Sequence, residues 1–305
     1  MNSWERFQGC LLGLAVGDAV GTTVEFKPRG SFPRVTDMVG GGPFGLLPGQ
    51  WTDDTSMALC LATSLVECGE FNPLDQMQRY CRWAEEGYLS STGHCVDIGN
   101  TVSQALSQFR QTGNPFSGST QPTSAGNGCL MRLAPVPMFY FPDADRAVYY
   151  AGESARTTHG SQECVEASQL FGAMLIWALG GASKADILAS HPRLALKAPK
   201  IQAIARGDYQ AWGMNQIRGS GYVVDSLTAA LWCFWSTDTY ADAILTAANL
   251  GDDADTTAAI CGQLAGAYYG LGAIPKPWLA KLTWREKLLD LADQLYQAPT
   301  THHHP

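Results

Sequence analysis

Two acidic clusters of matching make-up stand at opposite ends of this chain, and each opens an apolar run. The first is Trp51-Thr52-Asp53-Asp54-Thr55. The second is Gly251-Asp252-Asp253-Ala254-Asp255-Thr256-Thr257, ahead of Ala258-Ala259-Ile260. They read as near mirror images, Thr-Asp-Asp against Asp-x-Asp-Thr. Taken alone, either one reads as helix capping, because Asp and Thr at a helix start accept orphan N–H groups and complement the helix dipole. Capping does not need three Asp in four positions, where mutual repulsion outlasts the first capping bond. A bound cation removes that repulsion, and carboxylate and hydroxyl oxygens are hard ligands suited to Mg²⁺, Mn²⁺ or Ca²⁺. Two such turns facing each other supply about six oxygens, enough for one or two octahedral ions that keep some water. The constraint on the fold is that the start of an early helix must meet the start of a late one.

Helical periodicity runs through most of the chain. Over 4–24 the apolar positions Phe7, Leu11, Leu12, Ala15, Val16 and Ala19 follow a helical period, with Gly9, Gly13, Gly17 and Gly21 at every fourth position. Arg6, Asp18 and Glu25 leave too short an apolar span for a membrane, so the expectation is a buried helix with a smooth face that another backbone can approach. Asp18 in its interior needs a partner: it either caps a neighbouring helix or supports a metal site. A loop at 27–50, with Gly40-Gly41-Gly42-Pro43 and Pro48-Gly49, leads into the first acidic turn and is expected to be a lid or site wall. Helices are expected at 57–66, 73–86 and through 109, then at 143–156, 162–180, 183–190, 223–235, 238–250, 257–270 and 285–296. A second loop, 112–128, ends in Ser124-Ala125-Gly126-Asn127-Gly128 ahead of a helix-like 129–135. Glycines before a helix start suit close approach of a phosphate or ribose, although the GKS/T ending of a P-loop is absent.

Residues 191–221 are less regular. Tyr222, after Gly219-Ser220-Gly221, either stacks on a planar ring or staples the helix start. His159 reads as a helix-boundary histidine satisfied by backbone, with a general base as the alternative, and His94 as a solvent-facing loop residue. Strand alternation is missing and no repeat is visible. The expectation is one mostly α domain over 1–297 and a C-terminal tail over 298–305, whose His302 to His304 are set aside.

Hydrophobic residues make up 46% of the chain and charged residues 16%, so much of it must be buried; the net charge of −8 argues against nucleic acid as partner. A small phosphate-bearing molecule held by metal, helix N-termini and one or two arginines remains open. Nine cysteines without CxxC spacing read as reduced core thiols, and the opening residues lack a cleavable signal. A cytoplasmic location and a monomer are the expectations.

The chain resembles the ADP-ribosylglycohydrolase family, which includes the dinitrogenase reductase-activating glycohydrolases, over nearly its whole length. The resemblance rests first on the two acidic motifs, in this order and at these ends. Around them stand Gly9-Cys10-Leu11-Leu12-Gly13 with Gly17-Asp18-Ala19, Asp97-Ile98-Gly99, Gly126-Asn127-Gly128 with Met131-Arg132, Gly221-Tyr222-Val223-Val224, and Asn249-Leu250-Gly251. It implies an all-α orthogonal multi-helix bundle with two Mg²⁺ or Mn²⁺ ions in a central cleft. By motif position Thr52, Asp53, Asp54, Asp253, Asp255 and Thr256 would be the metal ligands. Glu25 matches the family's acidic residue near the catalytic centre, and Asp97 a carboxylate facing the distal ribose. Gly126, Asn127 and Gly128 would contact diphosphate and ribose, and Tyr222 would stack near the adenine. No ligand position departs from the pattern, which disfavours a metal-free, non-enzymatic descendant.

The implied activity is removal of ADP-ribose from an ADP-ribosylated protein, first by cleaving the N-glycosidic bond to arginine. Hydrolysis of serine-linked or O-acetyl-ADP-ribose, and ADP-ribose binding without turnover, are alternatives on the same fold. A dimetal phosphohydrolase releasing AMP and ribose phosphate is the rival from another class. Cleavage at C1″ builds oxocarbenium character. Two ions would bind the 2″ and 3″ hydroxyls and lower the pKa of a bound water, with Asp97 or Glu25 as general base or cation stabiliser. Composition and spacing without the resemblance stop at a dimetal hydrolase.

Overall fold

The structure, a computed structural model, describes residues 2–189 and 194–298; among them are fourteen α-helices and no β-strand. In order these are α1 (Ser3–Gly21), α2 (Asp53–Cys68), α3 (Pro73–Glu86), α4 (Asn100–Thr112), α5 (Pro135–Tyr140), α6 (Ala144–Thr158) and α7 (Gln162–Leu179). Then follow α8 (Lys184–Leu188), α9 (Pro199–Ala205), α10 (Val223–Trp235), α11 (Tyr240–Ala248), α12 (Ala254–Tyr269), α13 (Lys276–Lys281) and α14 (Arg285–Gln297). Local signals set many of these ends. Asn2 and Glu5 form a capping box on α1, and Asn72 caps α3 with Pro73 at its first position and left-handed Gly87 after its end.

Two expectations about elements need correction. Residues 129–135 are not one helix. A 3₁₀ turn, Asn127–Cys129, is followed by α5, because Pro135 has no N–H to bond backwards and so begins a helix instead of continuing one. Helices α9 and α13 were hidden in segments too short for a periodic pattern, and each starts with a Pro in its first turn. The expected helix over 183–190 ends at Leu188, and nearly all of the expected tail, 299–305, lies outside the described residues. All nine cysteines are free, six of them buried.

Helix α1 packs along α12, with α11 and α14 beside it, and this is the central contact of the fold. Its glycines are the reason. A Cβ on Gly9, Gly13, Gly17 or Gly21 would collide with the carbonyl oxygen of Gly266, Gly262, Ala258 or Ala254 respectively. Gly262 and Gly266 return the arrangement, each facing the backbone of α1. The two helices thus meet backbone to backbone, as the four-residue spacing implied. Ser3–Val24 passes the length and composition test for a membrane-crossing helix despite Arg6 and Asp18, yet 94% of its most apolar window is buried within the protein. Arg6 closes one end of the seam by donating to the carbonyl oxygens of Ala178, Ala267 and Tyr268 at the ends of α7 and α12.

The seam yields a direct prediction. Gly17→Ala forces α1 and α12 apart and should cost about 3 kcal/mol, the upper range for overpacking, measured by urea unfolding. Gly272→Ala, where nothing lies within 4 Å of the added carbon, is the control and should stay within about 0.5 kcal/mol of the parent. Equal effects of the two would mean that α1 and α12 have room between them.

Candidate active site

In neither acidic turn does the N-cap side chain cap its own helix, although Asp255 accepts from Thr256 N at 2.8 Å in the first turn of α12. Thr52 at the N-cap of α2 and Asp253 at the N-cap of α12 make no side-chain capping bond. The capping of α2 comes from α1: the Asp18 carboxylate accepts from Thr52 N (3.0 Å), Thr55 N (3.0 Å), Thr52 Oγ1 (2.9 Å) and Thr55 Oγ1 (2.6 Å). Of the two expected roles the capping one is observed, and Asp18 also has an oxygen within 4.8 Å of oxygens of Asp54 and Asp255, beside the candidate cation site. The acidic side chains converge from both ends of the chain. Thr52 Oγ1 reaches Asp255 at 3.2 Å, and Thr256 Oγ1 donates to Asp54 at 3.1 Å. The positive ends of α2 and α12 both point at this place, which favours negative charge there.

Most of these carboxyl groups are buried. Asp18, Asp53, Asp54 and Asp255 are all at most 5% exposed. Burial raises each of these carboxyl groups above the usual range, with the neighbouring carboxylates adding to it for Asp53, Asp54 and Asp255. Asp18 is held at about 6, burial being opposed by its bonds from Thr55 and Thr52. Asp54 Oδ2 and Glu25 Oε2 are buried without any hydrogen-bond partner. Orphaned carboxylate oxygens amid hydroxyls, with no basic side chain among them, are a hard-cation donor set, and a second group, Glu25, Asp97 and Asp255, also has oxygens within 4.8 Å of one another. The residues present therefore fit divalent cations.

This cluster forms the floor of a cavity of about 480 Å³, within the usual range for small-molecule sites. Asp53, Asp253 and Thr256 reach its surface, while Thr52, Asp54 and Asp255 lie behind them. Glu25 and Asp97 face the same space; burial raises both, and Asp255 raises Glu25 further. Asp97 and Phe26 hold left-handed backbone conformations at the wall (φ 49° and 61°), and Asp252 (φ 55°) lies just behind. Side chains of this kind rarely adopt that region, so the surrounding structure must enforce it. The enforcing contacts are visible: Phe26 N donates to Asp252 O at 2.7 Å and Asp252 N to Lys27 O at 2.8 Å.

The long loop does not form a wall of this cavity. None of the residues 27–50 lines the cavity. They brace the second acidic turn instead, with Arg29 donating to the carbonyls of Leu250, Met214 and Ile217, and Asn249 clasping Val35 through both its N–H and its C=O.

Gly126, Asn127 and Gly128 form the opposite wall. Asn127 Nδ2 donates to Asp253 at 2.8 Å and to Ser226 at 3.1 Å, so its amide orients a floor carboxylate. The space beside the two glycines is taken by the ring of His159: a Cβ on Gly128 would lie 2.7 Å from its Cε1. His159 is buried, lines the cavity and bonds Thr158 through Nδ1 at 2.8 Å; the expectation of a backbone-satisfied ring is corrected, since its partner is a side chain. Tyr222 is not in the lining. Its hydroxyl donates to Glu163 at 2.5 Å and accepts from Lys200 at 2.9 Å, while the preceding Gly221 faces the cavity.

Sequence reasoning missed Phe26 and the start of α4, where Gly99, Asn100 and Thr101 line the cavity. The uncapped N-terminus of α4 carries orphan N–H groups, the positive element that a lining without Lys or Arg otherwise lacks. A Gly with no Ser, Thr or Asp cap before a polar helix was the available signal.

Comparison with known proteins places these features in a family context. The family model described as ADP-ribosylglycohydrolase matches residues 2–305. The chain is 45% identical to the ADP-ribosylarginine hydrolase Tri1 of Serratia proteamaculans (strain 568), over 97% of this chain and 81% of that one. It is 32% identical to the ADP-ribosyl-[dinitrogen reductase] glycohydrolase of Rhodospirillum rubrum, over 91% of this chain and 90% of its relative. A solved structure described as an ADP-ribosylglycohydrolase-related protein complex superposes with a TM-score of 0.88 at 45% identity, covering 97% of this chain and 99% of the other.

The buried carboxylates predict how stability responds to pH and cations. Their folded-state values lie above the ordinary 3.8 of an aspartate, so the destabilisation they cause is absent below that value and grows as pH rises through about 6 for Asp18. A divalent cation cancels the repulsion only where the groups are ionised. Adding Mg²⁺ should thus raise Tm more at about pH 7.5 than at about pH 5, and Asp54→Asn should shrink the difference. Equal shifts at both pH values would show that the cation binds elsewhere.

Proposed function

The chain belongs to the ADP-ribosylglycohydrolase family, and we propose that it removes ADP-ribose from modified proteins by hydrolysing the N-glycosidic bond to arginine. The observation that carries the reading is a single cavity in which Glu25 and Asp97 face the hydroxyl-and-carboxylate floor of Asp53, Asp253 and Thr256. The preference for arginine is supported by the 45% identity to a protein named for that linkage.

The chemistry follows from these groups. Breaking the C1″–N bond leaves positive charge on the ribose, and an acid-walled cavity stabilises it. Glu25, buried and pushed up first by that burial, is placed to give a proton to the departing nitrogen, which leaves as guanidinium. Asp97 takes the proton of the water whose oxygen forms the new C1″–O bond. Mg²⁺ or Mn²⁺ held by Thr52, Asp53, Asp54, Asp253, Asp255 and Thr256 would supply Lewis acidity toward the ribose hydroxyls and make a bound water more acidic. The diphosphate, for which the wall offers no cationic side chain, would be met by N–H groups of the α4 start and of Gly128, since those of Gly126 and Asn127 already donate to Ser124 O and Gly221 O.

The deciding experiment measures free ADP-ribose released from an arginine-ADP-ribosylated protein, with Mg²⁺ and with chelator, beside serine-linked and O-acetyl substrates. Metal-dependent release from the arginine conjugate is the expected result. Glu25→Gln and Asp97→Asn should each lower kcat by about 10²–10⁴. Asp54→Ala and Asp253→Ala should lose metal and turnover together; full activity of either in chelated buffer would sink the metal-assisted reading. Release from another conjugate alone would move the specificity away from arginine.

A further inference from the structure

We propose that Arg132 and Thr158 are positioning residues that fix the tautomer of His159, placing its ring proton on Nε2, where it faces the cavity as a hydrogen-bond donor. The inference rests on reading that cavity as the ADP-ribose site, but its central claim concerns protons inside the protein alone.

The argument is one of donors and acceptors. A guanidinium can only donate. Arg132 Nη2 donates to Thr158 Oγ1 at 2.7 Å, with longer contacts to Ser154 O (3.2 Å) and Thr157 Oγ1 (3.3 Å). Thr158 is fully buried, and its hydroxyl touches one other group among the described residues, His159 Nδ1 at 2.8 Å. Two arrangements are possible. If Nδ1 carried a proton toward Thr158, the hydroxyl oxygen would accept twice and its own hydrogen would be buried with no acceptor. If Thr158 donates to Nδ1, every group in the chain of bonds is satisfied: Arg132 to Thr158, Thr158 to His159. Leaving a buried donor unmet is the costly choice, so the second arrangement holds.

Burial, with the nearby Arg132 charge adding to it, lowers His159 to about 3, so the ring is neutral over the working pH range. A neutral imidazole that accepts at Nδ1 has its one proton on Nε2. That atom sits between the two glycines of the wall, 3.2 Å from where a Cβ would stand on either Gly126 or Gly128, and it makes no hydrogen bond among the described residues. What it offers the cavity is one fixed, uncharged donor. The group it fits is an acceptor oxygen of phosphate or ribose type.

Arg132 supplies an independent observation. Its side chain is fully buried and forms no salt bridge among the described residues, and its Nε and Nη1 have no hydrogen-bond partner. The guanidinium lies 4.8 Å from the centre of the Tyr80 ring. A buried cation of this kind is poorly explained by packing, since an apolar side chain of similar volume fills the space without the desolvation cost. A one-way donor aimed at Thr158 is something no apolar side chain provides.

The test reads the tautomer itself. Long-range ¹⁵N–¹H NMR on the uniformly labelled protein, with the His159 signals assigned by their loss in His159→Asn, should show a neutral ring protonated at Nε2. A ring protonated at Nδ1 would overturn the proposal. Thr158→Val should shift both ring nitrogens toward averaged values and weaken ADP-ribose binding, measured by calorimetry, by about threefold to tenfold, since only part of the population then presents the donor. Thr158→Ser, which keeps the hydroxyl, should retain parental shifts and affinity. Unchanged nitrogen shifts in Thr158→Val would refute the positioning role even if affinity fell. The NMR arm needs no substrate, so its outcome is separable from whether the protein hydrolyses an arginine conjugate.

Discussion

Buried carboxylates held close together repel one another strongly, and this fold brings Asp18, Asp54 and Asp255 within reach of one another, with Asp53 and Asp253 beside them at the cavity floor. Much of the architecture reads as a response to that constraint. The starts of α2 and α12 bring their dipoles to bear on it. Thr52, Thr55 and Thr256 turn their hydroxyls onto the carboxylates, and Asn127 steadies Asp253 from the far wall. What remains unmet, Asp54 Oδ2 and Glu25 Oε2, defines where positive charge is wanted. The same crowding leaves Glu25 and Asp97 with raised affinity for protons at the edge of the site, which is the property an acid–base pair requires.

The cavity is asymmetric in its electrostatics. One side is acidic and faces the reacting end of a sugar. The other is built from backbone N–H groups, glycines and a neutral imidazole, and these recognise anionic or polar oxygens without bringing a competing cation next to the carboxylates. Arg132 is not in the lining and acts on His159 through Thr158 instead of reaching the cavity.

Much of this was legible in residue order. Four glycines at a helical spacing announced a close backbone contact, and a lone aspartate inside that helix announced a partner. The matching acidic turns announced a shared site. The rest depended on contacts that periodicity does not carry. Capping was the natural reading of each acidic turn because a sequence shows which residues can cap but not that Asp18, from another helix, already does so for α2. The 27–50 loop read as a lid or site wall because its glycines and prolines speak only of irregularity, and they could not show that Arg29 and Asn249 tie it to a turn more than two hundred residues later. Tyr222 read as a stacking residue, and its sequence position could not show that Glu163 and Lys200 anchor its hydroxyl outside the cavity lining. Left-handed Phe26 defies its own preference and is explained only by Asp252 across from it.

The seam between α1 and α12 has a consequence for synthesis. Helix α1 is mostly apolar and buried on every side from Phe7 to Gly21, and the helix it packs along begins at Ala254. At roughly 5–20 residues per second, α1 leaves the ribosome on the order of tens of seconds before its partner exists. During that interval an apolar, glycine-lined helix is without its cover, so the nascent chain is most exposed to aggregation and most in need of a chaperone just before α12 emerges. The glycine spacing that lets two backbones touch in the finished protein is therefore also what makes its making slow to become safe.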